Sequence, residues 1–440
     1  MNRPRPVTLV VLGLCLTLAA ALAVALHARS APGRVSVLAS WTGDEEQAFR
    51  GVLAAFTADT GIGVDYQGTT AEREVLLAEV QAGTAPDIAV LPGPGELAEY
   101  AVQGYLRPLG QVIGPAQQRA YGDPWMTRLD VGGHRDLYWV PVKADLKSLV
   151  WYDTQRFPGQ PADQLPALAA LAAKGGQWCV GLGGGATSGW PGTDWIEDIL
   201  LQQAGRDTYQ AWATGTPGSW RTARMRHAWQ TWRTMLTGSS PAHLLGTAYQ
   251  DAHQGMFTRK PSCALEHQAS FIRSLYPRQR GGPATRAGFV PSAGLIPGAG
   301  LIPGADRTTG AHEVSGDLAG MFRDTPEARR LMAYLASGAA QQAWAERTAP
   351  AARPLSVNRD VPPSVYQDDP VTDLVAATLR GPGTRCYDAS DAMPPAMRDA
   401  FQHAVLEYLA GAQQLDPLLT QLEQVRAAVP PAEWLPSVCG

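Results

Sequence analysis

Two indoles and a carboxylate lie close together in residues 177–197, QWCVGLGGGATSGWPGTDWIE. Trp190 and Trp195 are five residues apart, Asp194 stands between them, and three glycines and Pro191 interrupt regular structure before the second indole. A sugar ring has apolar C–H faces and a rim of hydroxyl groups, so flat aromatic faces beside a few hydrogen-bonding groups suit it. The segment therefore predicts a sugar-binding cleft. A core tryptophan beside an ordinary helix start is the competing interpretation.

The elements that position this segment can be predicted from its local chemistry. Residues 178–182 have the pattern of a short strand that runs into the three glycines. Thr193 is a residue type that caps helices, and it predicts a helix that begins with Asp194 and Trp195. Between the two elements the backbone would open into a cleft.

Length and charge limit the fold and the partners. At 440 residues the chain is too long for one small core, and two lobes are expected. The 36 Lys and Arg residues against 40 Asp and Glu residues give a net charge of -4, which is unlike a nucleic-acid-binding surface. We expect no nucleic-acid partner, no cofactor and no metal site.

The N-terminus predicts export. Residues 7–26 are uncharged and mostly apolar and follow Arg3 and Arg5, which is typical of a signal peptide within residues 1–30. The run is also long enough to span a bilayer, so an uncleaved membrane anchor remains an alternative. Lipidation of Cys15 is rejected, because Leu14 before it is large and a long apolar run follows.

Four cysteines follow Cys15, an even number in an exported chain, and they allow three pairings. We favour Cys179 with Cys263 and Cys386 with Cys439, because each pair then stays within one part of the chain. Free thiols are less expected outside the cell.

The first hundred residues after the signal alternate between strand and helix patterns. Strands are predicted at 35–39, 62–66 and 87–91, with helices between them; Phe49, Val52, Leu53 and Phe56 have the spacing of one buried helix face. This order predicts a parallel, doubly wound sheet, whose ligands lie beyond the carboxyl ends of the strands. Those ends are residues 40–44 and 91–94.

Two further strands, 137–142 and 148–152, are joined by residues 143–146, where we place the first passage between lobes. A tandem GLIPGA repeat at 294–305 is interpreted as a duplication in a surface loop. Helices are predicted near 195–204, 222–236, 249–257 and 326–336, and a returning strand at 263–267.

Seven ordered blocks give the chain a family resemblance. They are SWTGDEEQAF, PDIAVLP, VPVKADLKSLVWY, WCVGLGGGATSGWPGTDWIEDILLQQAG, CALEHQASFI, VSGDLAGMF and YDASDAMP. The chain resembles the maltose-binding-like extracellular sugar-binding proteins of ABC importers, within their alpha-glucoside-binding branch.

The resemblance implies the type 2 periplasmic-binding-protein fold: two α/β lobes hinged by crossover strands. Residues 35–142 with about 268–315 would form lobe 1, and residues 143–267 with about 316–440 would form lobe 2. The protein would be a monomer at the outer face of the cytoplasmic membrane, with a sugar ligand and ABC permease subunits as partners.

The resemblance also implies a set of ligand-binding residues. Each has a structural alternative: Trp41 as a core aromatic, Lys143 as a surface charge, Asp194 as a helix-start charge. The set is Trp41, Thr42, Glu45, Lys143, Asp145, Trp190, Asp194, Trp195, His267, Gln268 and Asp317.

Two other classes of function compete with a binding protein. A secreted carbohydrate enzyme would use paired carboxylates such as Asp194 with Glu197 or Asp198, but we expect these acids on a solvated helix face. The chain has no G-x-S-x-G and no H-E-x-x-H motif. A membrane-tethered sugar sensor would have the same fold and differ only in its partners.

Overall fold

The computed structural model describes residues 33–277, 285–299 and 310–440. The predicted signal or anchor lies outside these residues, as does the second GLIPGA copy. Leu295 and Ile296 of the first copy are buried, so this half of the repeat contributes to the core and is not only a surface loop. Among the described helices none combines the length and the apolar character needed to cross a membrane.

Eleven strands are described in these ranges. They are β1 (Arg34–Ala39), β2 (Gly63–Gly68), β3 (Ile88–Leu91), β4 (Leu129–Val131), β5 (His134–Asp136), β6 (Trp139–Leu146), β7 (Leu149–Asp153), β8 (Glu266–His267), β9 (Ala287–Pro291), β10 (Ala311–Met321) and β11 (Thr384–Tyr387).

Fourteen α-helices are described in these ranges. They are α1 (Gly43–Thr60), α2 (Glu72–Gln81), α3 (Pro94–Val102), α4 (Pro115–Ala120), α5 (Pro161–Ala172), α6 (Trp190–Ala213), α7 (Ala223–Met235), α8 (Pro241–Gly246), α9 (Pro326–Leu335), α10 (Gly338–Glu346), α11 (Pro370–Arg380), α12 (Ala389–Ala392), α13 (Pro395–Ala410) and α14 (Leu415–Ala428). The segment predicted as a helix at 249–257 forms a 3₁₀ turn, Tyr249–Gly255.

Two sheets define two lobes. The first lobe is built on a sheet with the order β11-β10-β3-β1-β2, in which β6 also pairs with β10. β1 is parallel to both β2 and β3, as the alternating pattern predicted, whereas β10 runs antiparallel to β3 and β6. The second lobe is built around the antiparallel order β8-β7-β9.

Apolar periodicity accounts for the first-lobe core. The side chains of Phe49, Val52, Leu53 and Phe56 form the buried face of α1, as predicted. The helix ends at Gly61, whose φ of 73° is a left-handed conformation that glycine adopts without a Cβ clash.

The passage between the lobes differs from its predicted position. β6 continues through Leu146 and pairs with β10 along the first sheet, while β7 begins at Leu149 in the second sheet. Lys147 and Ser148 therefore make the first crossing, and Lys143 and Asp145 belong to the first sheet.

The later lobe boundaries also need correction. β9 pairs with β7, so this part of 268–315 belongs to the second sheet. β10 pairs with β3, and α9 and α10 pack their apolar faces on the first-lobe core, although residues after 316 were expected in the second lobe. α13 packs on the second-lobe region, since the Phe401 ring lies 4.9 Å from that of Trp220, whereas Cys439 near the C-terminus bridges to Cys386 in β11 of the first sheet.

Both predicted disulfides are present. Cys179 is bonded to Cys263, and Cys386 is bonded to Cys439. The first bond lies beside an isolated β-bridge between Trp178 and Leu265. The strand predicted at 178–182 does not form: the segment makes this bridge, and a second isolated bridge follows at Gly183.

Removal of the first disulfide should destabilise the protein. Cys179 and Cys263 are 84 residues apart, and closing a loop of that length removes enough entropy from the unfolded chain to contribute roughly 4 kcal/mol, with less usually delivered. A Cys179→Ala, Cys263→Ala double variant should therefore unfold at a lower urea concentration than its parent. Non-reducing peptide maps that find both thiols free and alkylatable in the parent would contradict the prediction.

Candidate functional site

A cavity of about 730 Å³ opens between the two lobes, a volume typical of small-molecule sites. It lies beyond the carboxyl ends of β1 and β3, where a parallel sheet presents its ligand. The opposite wall comes from the start of α6 and from the segments around Tyr249 and Phe271. Eight of the eleven predicted residues line this cavity: Trp41, Thr42, Glu45, Lys143, Asp145, Trp190, Asp194 and Asp317.

The first-lobe wall is organised around the ammonium of Lys143. Its Nζ donates to Glu45 Oε1 at 2.9 Å and lies 3.6 Å from Asp317 Oδ2, and Trp41 Nε1 donates to the same Asp317 oxygen at 3.3 Å. Burial raises the pKa of Asp317 to about 6, and the charge of Lys143 opposes that shift. Lys143 also lowers the pKa of the Glu45 carboxyl. This wall offers hydrogen-bond donors and acceptors within a few ångströms of one another.

Arg73, at the start of α2, links the first lobe to the C-terminal part of the cleft. Its Nη2 lies 3.6 Å from Asp391 Oδ1 and its Nε lies 3.3 Å from Glu96 Oε2. Arg398 from α13 donates to the same Glu96 oxygen at 3.1 Å. Guanidinium groups on both sides thus hold one buried carboxylate, which joins α2, α3 and α13.

The second-lobe wall is aromatic. The half-buried ring of Trp190 lies 4.9 Å from the ring of Tyr249 in an edge-to-face arrangement and 6.1 Å from that of Phe271. The Lys147 ammonium lies 5.6 Å from the centre of the Trp190 ring, within cation–π range. This wall presents apolar ring surface to the cavity.

The turn before Trp190 is possible only with glycine. Gly189 has a φ of 105°, and a Cβ there would lie 2.4 Å from the carbonyl oxygen of Gln402. The helix then begins at Trp190 with Pro191 in its first turn, four residues earlier than predicted. Thr193 is not its cap: the Thr193 hydroxyl donates to the carbonyl oxygen of Trp190 at 2.9 Å inside the first turn.

Lys147 is the buried cation at the lobe crossing. Its Nζ lies 3.0 Å from Asp194 Oδ2, forms a short contact with Asp388 Oδ2, and lies 3.9 Å from Asp391 Oδ2. Burial acts to lower the pKa of Lys147, but the surrounding carboxylates, Asp194 first, raise it well above its ordinary value. Burial alone would raise the pKa of Asp388, yet the Lys147 charge lowers it to about 2.

Three predicted site residues lie outside the cavity lining. Trp195 is 1% exposed and packs edge-to-face on Trp178 at 4.6 Å, so it is a core aromatic. His267 is buried and shares a 2.8 Å hydrogen bond with Asp198 Oδ2. The Gln268 side chain accepts from the backbone N–H of Ala269 at 2.9 Å, which closes a local turn.

The acids of α6 do not lie on a solvated face, so the prediction from the sequence is wrong at this point. Asp194, Glu197 and Asp198 are all almost fully buried. Asp198 accepts from Ser148 Oγ at 2.7 Å, and a Glu197 oxygen accepts from the backbone N–H of Ser390 at 3.2 Å. Asp194 and Asp198 are spaced four residues apart after Trp190, so the three lie on one side of the helix, and this side is turned towards the cleft and the interior.

Several cleft residues were missed although their segments had been singled out. Lys147 stands in the VPVKADLKSLVWY block, and Asp388 and Asp391 stand in YDASDAMP. Their charge was the available signal, since two acids and a lysine in such segments need partners when buried. Tyr249 and Phe271 carried no comparable signal, because single aromatics are ordinary core residues.

The family model of the bacterial extracellular solute-binding proteins matches residues 40–342. The chain belongs to this family. It is 31% identical over 403 residues to the alpha-glucosides-binding periplasmic protein AglE of Rhizobium meliloti, covering 87% of this chain and 84% of AglE. It is 32% identical over 403 residues to the osmoprotective compounds-binding protein GgtB of Synechocystis, covering 88% of this chain and 91% of GgtB.

Solved structures confirm the fold of this solute-binding protein. The maltose/maltodextrin-binding domain MalE from Bdellovibrio bacteriovorus, bound to maltotriose, superposes with a TM-score of 0.63 at 15% identity, over 90% of this chain and 99% of that one. The maltose-maltodextrin binding protein of Alicyclobacillus acidocaldarius gives 0.63 at 16% identity, over 90% and 100%. The predicted two-lobed periplasmic-binding fold is therefore confirmed.

Glu72 should make stability depend on pH. Burial raises the pKa of this cleft carboxyl from an ordinary 4.5 to about 7. A carboxyl whose folded-state pKa is raised favours folding most below pH 4.5, and that contribution is lost as pH rises through 7. Glu72→Gln should therefore become more stable than the parent as pH rises from 5 to 8, by up to about 3 kcal/mol.

Urea unfolding at several pH values measures this difference. Glu74→Gln is the matched control, because Glu74 is the exposed acid two residues further along the same helix. If both variants show the same pH profile as the parent, Glu72 does not titrate in this range and the prediction fails.

Proposed function

We propose that this protein captures an α-linked glucoside between its lobes and delivers it to ABC permease subunits in the membrane. The observation that carries the proposal is the pairing of two unlike walls in one cavity. The Trp190, Tyr249 and Phe271 rings line one side, and the Lys143 ion-pair network lines the other.

A sugar uses both kinds of wall. Its C–H face stacks on the Trp190 indole, and its hydroxyl groups replace water on charged partners. Lys143 and Arg73 donate, while Asp145 and Asp317 accept. Lys143 is already held by Glu45 at 2.9 Å and Asp145 by the Ser270 hydroxyl at 2.6 Å, so the ligand meets a site whose geometry is largely set before it binds.

The proposed role is binding without chemical conversion. Asp317 and Glu45 are held by Lys143, and Asp388 is held by Lys147, so these carboxylates already serve as partners of buried cations. Hydrolysis of a glycoside needs one carboxyl as acid and another as nucleophile or base across the scissile bond. Closure of the lobes over the ligand then supplies the change of shape that a permease reads.

The choice of an α-glucoside draws on a relative. AglE is named for binding alpha-glucosides, and its 31% identity extends over most of both chains. GgtB is named for osmoprotective compounds, so small protective glucosides belong in the same ligand screen. We propose a monomer at the outer face of the cytoplasmic membrane, held there by the N-terminal segment or released after its cleavage.

A ligand screen tests the function. Maltose, trehalose and malto-oligosaccharides should be compared by thermal shift, with lactose as the β-linked control. A ligand at 100 times its Kd should stabilise the protein by about 2.7 kcal/mol, and chromatography after incubation should show the sugar unchanged. Products above a heat-killed control would overturn the binding role, and equal shifts with lactose would overturn the α-linkage.

Trp190 and Trp195 provide a matched pair of variants. Trp190→Ala should raise the ligand Kd roughly thirtyfold, about 2 kcal/mol, with little change in the stability of the free protein. Trp195→Ala should instead cost about 3 to 5 kcal/mol of stability and leave affinity nearly unchanged, because this indole is enclosed by the core. Calorimetry and melting curves on the same samples separate the two. A Trp190 variant that melts early and binds normally would remove Trp190 from the site.

A further inference from the structure

A group of buried acids lies behind Lys147, at the junction of the lobes. Ligand oxygens of Asp194, Glu313 and Asp388 all lie within 4.8 Å of one another, and Glu197 stands one turn further along α6 from Asp194. Asp194 is 3% exposed and the other three are fully buried. Lys147 is the one cation within salt-bridge distance of these four carboxylates in the described ranges, so the group would carry an excess of three negative charges with all four ionised.

Four oxygens in this group have no hydrogen-bond partner among the described residues. They are Asp194 Oδ1, Glu197 Oε1 and both carboxylate oxygens of Glu313. Lys147 does not satisfy them, because it contacts the other oxygen of Asp194 and one oxygen of Asp388. A buried carboxylate without a partner costs several kcal/mol, and Glu313 has none on either oxygen, which an ordinary core would not retain.

The surrounding contacts explain why the oxygens are gathered at one place. The Lys147 backbone N–H donates to the carbonyl oxygen of Glu313 at 2.8 Å, which places the lobe crossing against β10. The Asp388 N–H donates to the carbonyl oxygen of Val314 at 2.8 Å. Glu197 Oε2 accepts from the backbone N–H groups of Ala389 and Ser390, the first two residues of α12, and its second oxygen makes neither of these bonds.

We propose that this group is a binding site for a divalent cation of the calcium class, held by Asp194, Glu313 and Asp388, with Glu197 beside them. Calcium takes six to eight oxygen ligands at about 2.3 to 2.6 Å, so opposite ligands are roughly 5 Å apart, which fits the spacing here. The donor set contains only oxygen, with no thiol or imidazole, as hard cations prefer. The cation would connect α6 of the second lobe with β10 of the first.

Protons are the alternative way to neutralise the group. Burial raises the pKa of Asp194, Glu197 and Glu313 well above their ordinary values. Without a cation this shift favours the protonated form of these carboxyls, and hydrogen bonds between carboxyl groups would replace the metal. The two states respond in opposite ways to chelation, which makes them separable.

Metal analysis and melting curves on the purified full chain test the site. We expect about one equivalent of calcium after dialysis against CaCl₂ at pH 8, and a Tm that falls by about 3 °C or more in excess EDTA and returns with added CaCl₂. Glu313→Gln should lose both the bound calcium and the response to EDTA. Glu197→Gln provides a second variant if the first does not fold.

Glu266→Gln is the matched control. Glu266 lies in β8, outside the acid group, and is also buried. Its carboxylate accepts a hydrogen bond from the Tyr276 hydroxyl at 2.8 Å. It should keep the calcium and the response to EDTA. A parent protein with no bound metal and the same Tm in EDTA and CaCl₂ would overturn the proposal in favour of protons. A Glu313 variant that binds calcium as the Glu266 variant does would place the cation elsewhere and overturn it too.

Discussion

The ion pairing of the Lys147 ammonium with buried carboxylates is the interaction on which the cleft and both lobes depend. A buried charge persists only when opposite charges surround it, because desolvation otherwise costs several kcal/mol. Lys147 stands at the crossing between β6 and β7, and the carboxylates that hold it come from α6 and from the segment around α12. One charge requirement therefore brings a second-lobe helix, the C-terminal region and the hinge into a single arrangement. The same ammonium lies against the face of Trp190 and so contributes to the cleft itself.

The two walls of the cleft divide their tasks according to the elements that carry them. The first-lobe wall combines polar side chains from the first turn of α1 with charged side chains of β6, so that ion pairs such as Lys143 with Glu45 can form. The second-lobe wall comes from a glycine-rich turn and a 3₁₀ segment, which let large rings approach the cavity without a regular sheet or helix to pack into. A ligand with apolar faces and a polar rim matches this division better than a uniformly charged or uniformly apolar one.

Much of the first lobe could be predicted from the sequence, because its elements are short-range patterns. The spacing of Phe49, Val52, Leu53 and Phe56 requires one buried helix face, and alternation of strands and helices with short connections requires a parallel sheet. The disulfide pairs followed from an even count of cysteines and their separation along the chain. Eight predicted residues line the cavity, and they stand after a strand end, at helix starts or within β6 and β10, positions that the first sheet and the packing of the lobes bring together.

The tertiary structure decided what no local pattern could. Trp190 and Trp195 are the same residue type and stand in the same segment, 177–197. Five residues along a helix turn the side chain by about 140°, so one faces the cavity and the other the core. Asp194, Glu197 and Asp198 form a stripe that reads as solvent-exposed until β10 and the C-terminal segment cover it. The antiparallel return of β10 to the first sheet and the pairing of β9 with β7 were likewise fixed by contacts between residues far apart in the chain. The sequence by itself determined the first-lobe strands, the helices with a clear apolar face and the candidate cleft edges, but not the irregular backbone at 178–182 and 249–257. Which faces meet, and hence which charges become buried partners, was decided by the packing of the lobes.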